Sequence, residues 1–506
     1  MVGGNMFETI KKLFRKAGVN MGMGKSLVII TDDERISIPA TEYERIDKAF
    51  RYYRNDYDPL RYKVQGNPVN RPLHALNMTK TAARRLAGVV FNEKAKISFK
   101  DKTLNEFIQN VLEDNDFLNQ FEMNLEKGIV AGGFAMRPYV ADGKIKIAWV
   151  RANQFYPLRS NTNDISECAI SSRTQRVENQ ETIYYTLLEF HQWKKDEAGK
   201  SLYVITNELY RSDNINQVGT QVPLARIYDD IEENVIVEGL TAPLFSYFRC
   251  PGANNISLES PLGVGIVDNA KDVLDDINLL NDKNWTEIKL SGKRVIVPQA
   301  WLKHDDTHKP YFDTFDESIQ AFNIEDTKDY KIQDNTLPFR TVQMKDAMDH
   351  AIKKFENQIG ISSGTLSYAD DGLHTATEVV SNNSMTYQTR SSYLTMVEKA
   401  IKQLMIAIIE LAGAGQFYDK GNPLLEYDLS ERDLDFEIYF DDGVFVNKDK
   451  QLEDDLKVLM AHGMPLPEFL KRNYGLSDSE AKKWANAAQE VPPTSEQELS
   501  VNEDGD

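Results

Sequence analysis

Apolar residues change their period several times along this chain, and each change marks a change of element. Residues 7–17 (FETIKKLFRKA) place Phe7, Ile10, Leu13 and Phe14 on one face and Lys11, Lys12, Arg15 and Lys16 on the other. Such a helix can touch a membrane, but at about three turns docking on a neighbouring surface is the favoured reading. In TEYERIDKAF the stripe is Tyr43, Ile46 and Phe50, and Thr41 with Glu44 fits a T-x-x-E capping box. Further helices are expected over residues 75–90 and 102–128.

The period then shortens to two. FAMRPYVADGKIKIAWV alternates around Asp142-Gly143, a two-residue hairpin signal. TIYYTLLEFHQW, SLYVITNELY, ARIY and LFSYFRC continue as strands to about residue 250. From Ser260 the helical period returns: Ile266, Val267, Ala270, Val273, Leu274, Ile277 and Leu280 form a stripe, with Asp268, Asp272, Asp275, Asp276 and Asp282 off it. RVIVPQAWL, QAFNIED and YKIQDN predict short strands with acidic loops, and a helix follows over 341–359. A small β module, 292–338, therefore sits between two helices.

A Gly/Ser-rich loop, GISSGTLSYADDGL, leads into HTATEV. The cluster of His374, two threonines and Glu378 imitates a catalytic site. Thr375 and Glu378 instead match a capping box, which leaves His374 just outside a helix running to Gly413. Tyr393, Val397, Ala400, Ile401, Leu404, Ile408 and Leu411 are its apolar side. Its first half, VVSNNSMTYQTRSS, is poor in helix formers, so the early turns are expected to be weak or kinked. DLDFEIYFDDGVFV reads as a strand, and short helices follow at 448–461, 466–473 and 478–489, the last opened by a Ser477/Glu480 box. The tail from Pro492 holds five acids and no base and reads as disordered.

The fold class is α+β, mainly helical. In 506 residues, 41% hydrophobic with 10% aromatic residues is enough for real cores. The net charge of −19 argues against a broad basic face that grips nucleic acid, but not against a protein that lets DNA pass. Cys168 and Cys250 make no disulfide framework and read as two buried thiols. No apolar h-region opens the sequence, and the longest apolar run, from Leu404, is too short to span a bilayer, so a soluble cytoplasmic chain is expected.

Two stretches invite a chemical reading. Gly24-Lys25-Ser26 followed by Asp32-Asp33 imitates Walker A and B motifs. A P-loop needs glycine where Val19 stands, and a helix rather than an apolar run after the lysine. A loop and strand is the favoured reading. His304 and His308 have metal-ligand spacing on a helix, but with Asp305, Asp306 and Pro310 the segment reads as a solvated acidic loop. No metal, no cofactor and no catalytic residue is expected.

The order of pieces is the informative feature: an α+β region, a long helix, a small β module, a second helix, a flexible loop, a long helix and a helical C-terminal part. Together with LNMTKTAARRLAGVVFNEKAKISF (76–99), SPLGVGIVDNAKDVLDDIN (260–278) and TATEVVSNNSMTYQTR (375–390), it resembles the portal, or head–tail connector, proteins of tailed bacteriophages, the siphophage-type portal and minor structural protein family. The resemblance spans roughly residues 40–490. It implies a portal-type fold with a wing (1–259), a first stem helix (260–291), a clip (292–338), a second stem helix (339–361), a tunnel loop (362–374), a tunnel helix (375–413), a return to the wing (414–447), crown helices (448–490) and a disordered acidic tail (491–506).

It further implies a homo-oligomeric ring, typically of twelve subunits, at one vertex of the virion capsid, assembled in the host cytoplasm with no membrane partner. Double-stranded DNA would pass through the ring during packaging and ejection. The terminase large subunit and later a head-completion adaptor would dock on the clip, where His304, Asp305, Asp306 and His308 are candidates. Major capsid and scaffold proteins would surround the ring. Ser367, Tyr368, Asp370, Asp371, Gly372 and His374 would face DNA from the tunnel loop, with Thr375 and Glu378 capping the tunnel helix. Lys271, Lys283 and Lys289 are candidates for weak channel contacts, the alternative being pairs with nearby aspartates. The rivals are another phage head-morphogenesis structural protein and a nucleotide-dependent enzyme.

Overall fold

The protein is described here by a computed structural model covering residues 25–64, 67–92, 94–161, 164–290, 340–367, 384–418, 421–427, 436–440, 448–461, 463–474, 476 and 478–489, with strand segments at 295–298, 303–304, 310–311, 319–322 and 333–334. Described residues as far as 440 belong to one compact unit, and those from 448 to 489 to a second.

In the first unit the helices are α1 (Ala40–Tyr53), α2 (Met78–Val90), α3 (Lys102–Asp114), α4 (Phe117–Ala131), α5 (Ile266–Leu290), α6 (Thr341–Gln358) and α7 (Ser384–Gly413). The strands are β1 (Ser26–Leu27), β2 (Leu60–Val64), β3 (Asn67–Arg71), β4 (Lys96–Phe99), β5 (Gly133–Ala141), β6 (Lys144–Arg151), β7 (Phe155–Asn161), β8 (Asp164–Glu178), β9 (Glu181–Lys195), β10 (Ser201–Ser212), β11 (Gly219–Val222), β12 (Asn234–Glu238), β13 (Ser246–Arg249), β14 (Val295–Pro298), β15 (Lys303–His304), β16 (Pro310–Tyr311), β17 (Ile319–Phe322), β18 (Gln333–Asp334) and β19 (Phe436–Tyr439).

One sheet runs β1-β11-β10-β9-β8-β7 with β12 also on β10, and a second runs β13-β5-β6. The expected hairpin is present: Ala141 pairs with Lys144, and Asp142 and Gly143 both take positive φ, at 51° and 70°. That backbone twist matches the strands it joins. The β8–β9 hairpin turns on Asn179 and Gln180, also at positive φ. Helix α7 runs through the main core, and every residue of its expected stripe is buried.

Glycines bring the stretch before α5 against the end of α4. Gly132 caps α4 at φ 96°; a Cβ there would meet the Gly263 carbonyl at 2.2 Å, and one on Gly265 would meet the Val130 carbonyl at 1.9 Å. Only hydrogen fits between the two backbones, which is the physical content of the SPLGVG segment.

Several expectations need correction. Thr41 and Glu44 do not form a capping box: α1 starts at Ala40, its N-cap Pro39 has no side-chain bond, and the Pro39 carbonyl takes the Glu42 N–H at 3.1 Å. The helix expected over 75–90 begins at Met78, where the Asn77 side chain accepts from Lys80 N. The helix expected over 102–128 is two helices. Asp116 sits in the left-handed region, and Asn115 is stitched to the β6 backbone, accepting from Ile147 N at 2.9 Å and donating to Ile145 O at 3.0 Å. ARIY is not a strand but part of a 3-10 turn, Leu224–Arg226.

The β module lies in sequence between α5 and α6. Its described strands are β14 between β17 (parallel) and β18 (antiparallel), and a β15–β16 pair. The second unit contains α8 (Lys448–Met460), α9 (Leu466–Tyr474) and α10 (Asp478–Gln489), close to the expected bounds. Buried Asp455 accepts from Asn473 Nδ2 at 2.9 Å, tying α8 to α9. The basic helix at 7–17, Ser477 and the tail from 491 lie outside the described residues.

Candidate functional site

Helices α5 and α6 run antiparallel. Near one end Arg340, just before α6, makes two bonds of 3.0 Å to the Glu287 carboxylate; near the other, Gln358 donates to the Asn269 carbonyl. At about 1.5 Å per residue, the 25 residues of α5 span about 37 Å. The β module, which follows α5 and precedes α6 in sequence, is therefore connected at the Glu287–Arg340 end of the pair.

The opposite end of α6 holds the more elaborate arrangement. Glu356 is fully buried. Its Oε1 accepts from Leu366 N at 2.5 Å and Ser367 N at 3.0 Å, and its Oε2 from Gly364 N at 3.0 Å and the Ser367 hydroxyl at 3.3 Å. A buried carboxylate is costly unless its lone pairs are filled, and here the chain just beyond the helix fills them. Ser362 and Thr386 close the other side. Ser362 N donates to Thr386 Oγ1 at 2.8 Å, Thr386 N to Ser362 Oγ at 3.2 Å, and the Thr386 hydroxyl to Ser362 Oγ at 3.0 Å. Thr389 Oγ1 donates to the Gly360 carbonyl at 2.5 Å, with Gly360 at φ 78°, and Arg390 Nε reaches Val89 O at 2.8 Å. The two chain ends that flank residues 368–383 are thus bonded to each other and to α6.

Ser367, expected to face DNA, turns inward. It is 7% exposed because its hydroxyl and N–H satisfy Glu356. Tyr368, Asp370, Asp371, Gly372, His374, Thr375 and Glu378 lie outside the described residues, as do Asp305, Asp306 and His308. His304 pairs with Pro310 in a β ladder, so the His304–His308 spacing is not carried on a helix. Lys271 lies 3.6 Å from Asp272, the paired alternative. Lys289 sits 5.4 Å from the Trp285 ring, and Lys283 is exposed.

The aspartates of α5 are more than solvated charges. Asp268, Asp275 and Asp282 recur every seven residues, which keeps them on one helix face. Together they hold two N-terminal elements: on α1, Arg45 bonds Asp268 and the Tyr52 hydroxyl donates to Asp275 at 2.7 Å, and at the end of β3 Arg71 makes a bidentate pair with Asp282 at 2.6 and 2.7 Å. Burial raises the Asp268 pKa against the pull of Arg45, whereas the Arg71 bonds lower that of Asp282. The seven-residue spacing was the signal available in the sequence.

The nucleotide-like stretch is an internal ion-pair cluster. Lys25 Nζ lies 2.6 Å from Asp33 Oδ2, and Arg35 bonds both Asp33 oxygens at 2.8 and 2.7 Å while lying 2.8 Å from Glu208. Burial would raise the Asp33 carboxyl, but the bonds from Arg35 and Lys25 hold it well below the usual range. The lysine that a phosphate site would need is already spent. Cys168 and Cys250 are both buried and unpaired. Among the described residues there is no metal-ligand cluster, and no helix is long and apolar enough to cross a membrane.

The family model described as phage portal protein, SPP1 Gp6-like, matches residues 32–493. No curated protein matches the chain. Among solved structures, the chain is similar to one from the neck of an empty GTA particle computed with C6 symmetry, at 10% identity and TM-score 0.38, covering 89% of this chain and 94% of that one. It is also similar to one from the neck of a native GTA particle computed with C12 symmetry, at 10% identity and TM-score 0.39, covering 95% and 99%.

Proposed function

Because the chain belongs to the phage portal protein family of the SPP1 Gp6-like kind, we propose that it forms a ring of twelve subunits at one capsid vertex and serves there as the conduit for double-stranded DNA. The family match over residues 32–493 carries this reading. In it, α5 and α6 are the stem, the intervening β module is the clip that docks the terminase large subunit and then a head-completion adaptor, and residues 362–374 are the tunnel loop that meets DNA, leading into a tunnel helix over 375–413. Residues 448–489 are the crown, and capsid and scaffold proteins surround the ring assembled in the host cytoplasm.

Physical arguments support the assignment. Duplex DNA carries about one negative charge per 1.7 Å of axis. A net charge of −19 per subunit weighs against a broad cationic surface on which it would stick. A loop that yields to passing DNA must also return to its place, and the Glu356 and Ser362–Thr386 bonds give its two ends a fixed base. Lys25, the lysine of the nucleotide-like stretch, is paired with Asp33 at 2.6 Å.

Negative-stain imaging and native mass of the purified chain test the reading. A closed ring with a hole wide enough for a duplex is expected; a monomer at every concentration and in the presence of scaffold overturns it. Removing residues 369–373, which spares the Ser367 anchor, should leave rings intact and impair packaging or DNA retention. Unchanged packaging removes the loop from the proposal.

A further inference from the structure

Between the N-terminal end of β8, the segment leading through β13 and one face of α7 lies a cavity of about 340 Å³. Phe245, Met396 and Ile406 contribute apolar surface, and Arg249, Lys399 and Asp164 the charge. Met396, Lys399, Gln403 and Ile406 follow a helical spacing along α7, the strip of that helix left partly open beside residues that are fully buried. The charges are unequal. Lys399 Nζ lies 2.5 Å from Asp164, so those two satisfy each other. Arg249 has no carboxylate partner among the described residues, and its buried Nε has no hydrogen-bond acceptor. The cavity therefore asks for an occupant that brings an apolar side chain together with a carboxylate.

The same chain carries such a pair on a rigid mount. After β13 the chain turns through Ile256, Ser257, Leu258 and Glu259. Leu258 is 85% exposed, Ile256 is 50% exposed, and Glu259 is exposed too. The turn beneath them is fixed by Asn254, itself 4% exposed. Its Oδ1 accepts from Ile256 N at 3.0 Å and Ser257 N at 2.8 Å, and its Nδ2 donates to Glu42 Oε2 and Leu262 O, both at 3.1 Å. A leucine held out in water on a buried asparagine contributes nothing to the stability of its own subunit, yet its conformation is already paid for before any partner arrives. Burying such a side chain is worth about 1.5–3 kcal/mol.

We propose that Leu258 of one subunit enters the Phe245/Met396/Ile406 cavity of a second copy, where Glu259 meets Arg249. The contact is heterologous, with knob and socket made of different residues, so its repetition generates a ring where the rotation closes and not an isologous pair. It places a joint between neighbours on α7, the helix whose Thr386 is bonded to Ser362. This inference rests on the ring reading above and adds to it the residues of one contact.

The test uses the full-length chain. A Leu258→Cys, Met396→Cys double variant, oxidised under native conditions, is expected to give a ladder of covalently linked subunits, while each single variant gives none; the native thiols are buried. Charge reversal at Glu259→Arg should raise the concentration at which rings half-dissociate by about tenfold, a change of about 1.4 kcal/mol, and adding Arg249→Glu should recover most of it. Absence of the ladder in a preparation whose wild-type chain forms rings overturns this contact and leaves the ring reading standing. If the wild-type chain forms no ring under any condition, both readings fall.

Discussion

Glu189 and Glu356 are both withdrawn from water, at 7% and 0% exposure, and they are satisfied in opposite ways. Glu189 on β9 meets charge. Arg137 of β5 bonds one oxygen, and His191 Nε2 lies 2.5 Å from the other. Tyr203 Oη accepts from Leu244 N at 3.1 Å, which leaves its proton for His191 Nδ1 at 2.9 Å; His191 then donates from Nε2 to Glu189. The chain of bonds rivets the β13-β5-β6 sheet to the larger one. Glu356 meets no cation in these bonds. Its partners are three backbone N–H groups and a hydroxyl from residues 364–367, just after its own helix. One carboxylate joins two sheets across 52 positions of sequence; the other folds a short stretch onto a helix end. Rigid frame and loop base are thus built from the same residue type with different partners.

The largest expected effect falls on the frame. Glu189→Ala leaves buried His191 and half-buried Arg137 without their partner and should cost about 3–5 kcal/mol, measured by denaturant unfolding. A loss under about 1 kcal/mol would show that the tie between sheets is dispensable.

Acid should find the same weakness. Burial raises the Glu189 carboxyl, but Arg137 and His191 outweigh it and hold the group at about 2, against an ordinary 4.5. A depressed pKa contributes stability above the unfolded value and loses it as pH falls through the folded one. Wild-type stability should therefore decline between about pH 4.5 and pH 2, and the Glu189→Ala variant should show a shallower decline over that window.

The loop base should respond less, and locally. Glu356→Ala strands several buried donors and should cost about 2–4 kcal/mol, with faster hydrogen exchange at residues 364–367. Uniform loosening of the whole unit would erase the distinction between frame and loop base. Thr386→Val removes the hydroxyl from the Ser362 exchange and should cost about 1 kcal/mol. Smallest of all, Lys271→Gln should change stability by less than about 0.5 kcal/mol, since its pair with Asp272 lies on the surface.

Legibility followed the range of the interactions. The α7 stripe, the Asp142-Gly143 hairpin and the short C-terminal helices were readable because each rests on residues close in sequence. The break at Asn115–Asp116 was not, because the side chain that ends α3 finds its partners on β6. The capping box at Thr41 failed for a local reason, since Pro39 supplies the helix start. At the candidate site the Gly/Ser-rich loop was visible, but its inward turn at Ser367 was not: nothing in SSGTLS says that a glutamate eight to eleven residues upstream will be buried there.

By itself the sequence determined the order of elements, the apolar faces, the acidity and the family resemblance. These follow from periodicity, composition and local motifs. Tertiary structure alone decided which polar groups are spent on the fold. Asp268, Asp282 and Glu189 look alike in the sequence as acids, yet each lost its water to an arginine from another segment. Whether a charge is free to act depends on what the chain brings beside it, and that is a property of packing rather than of order along the chain.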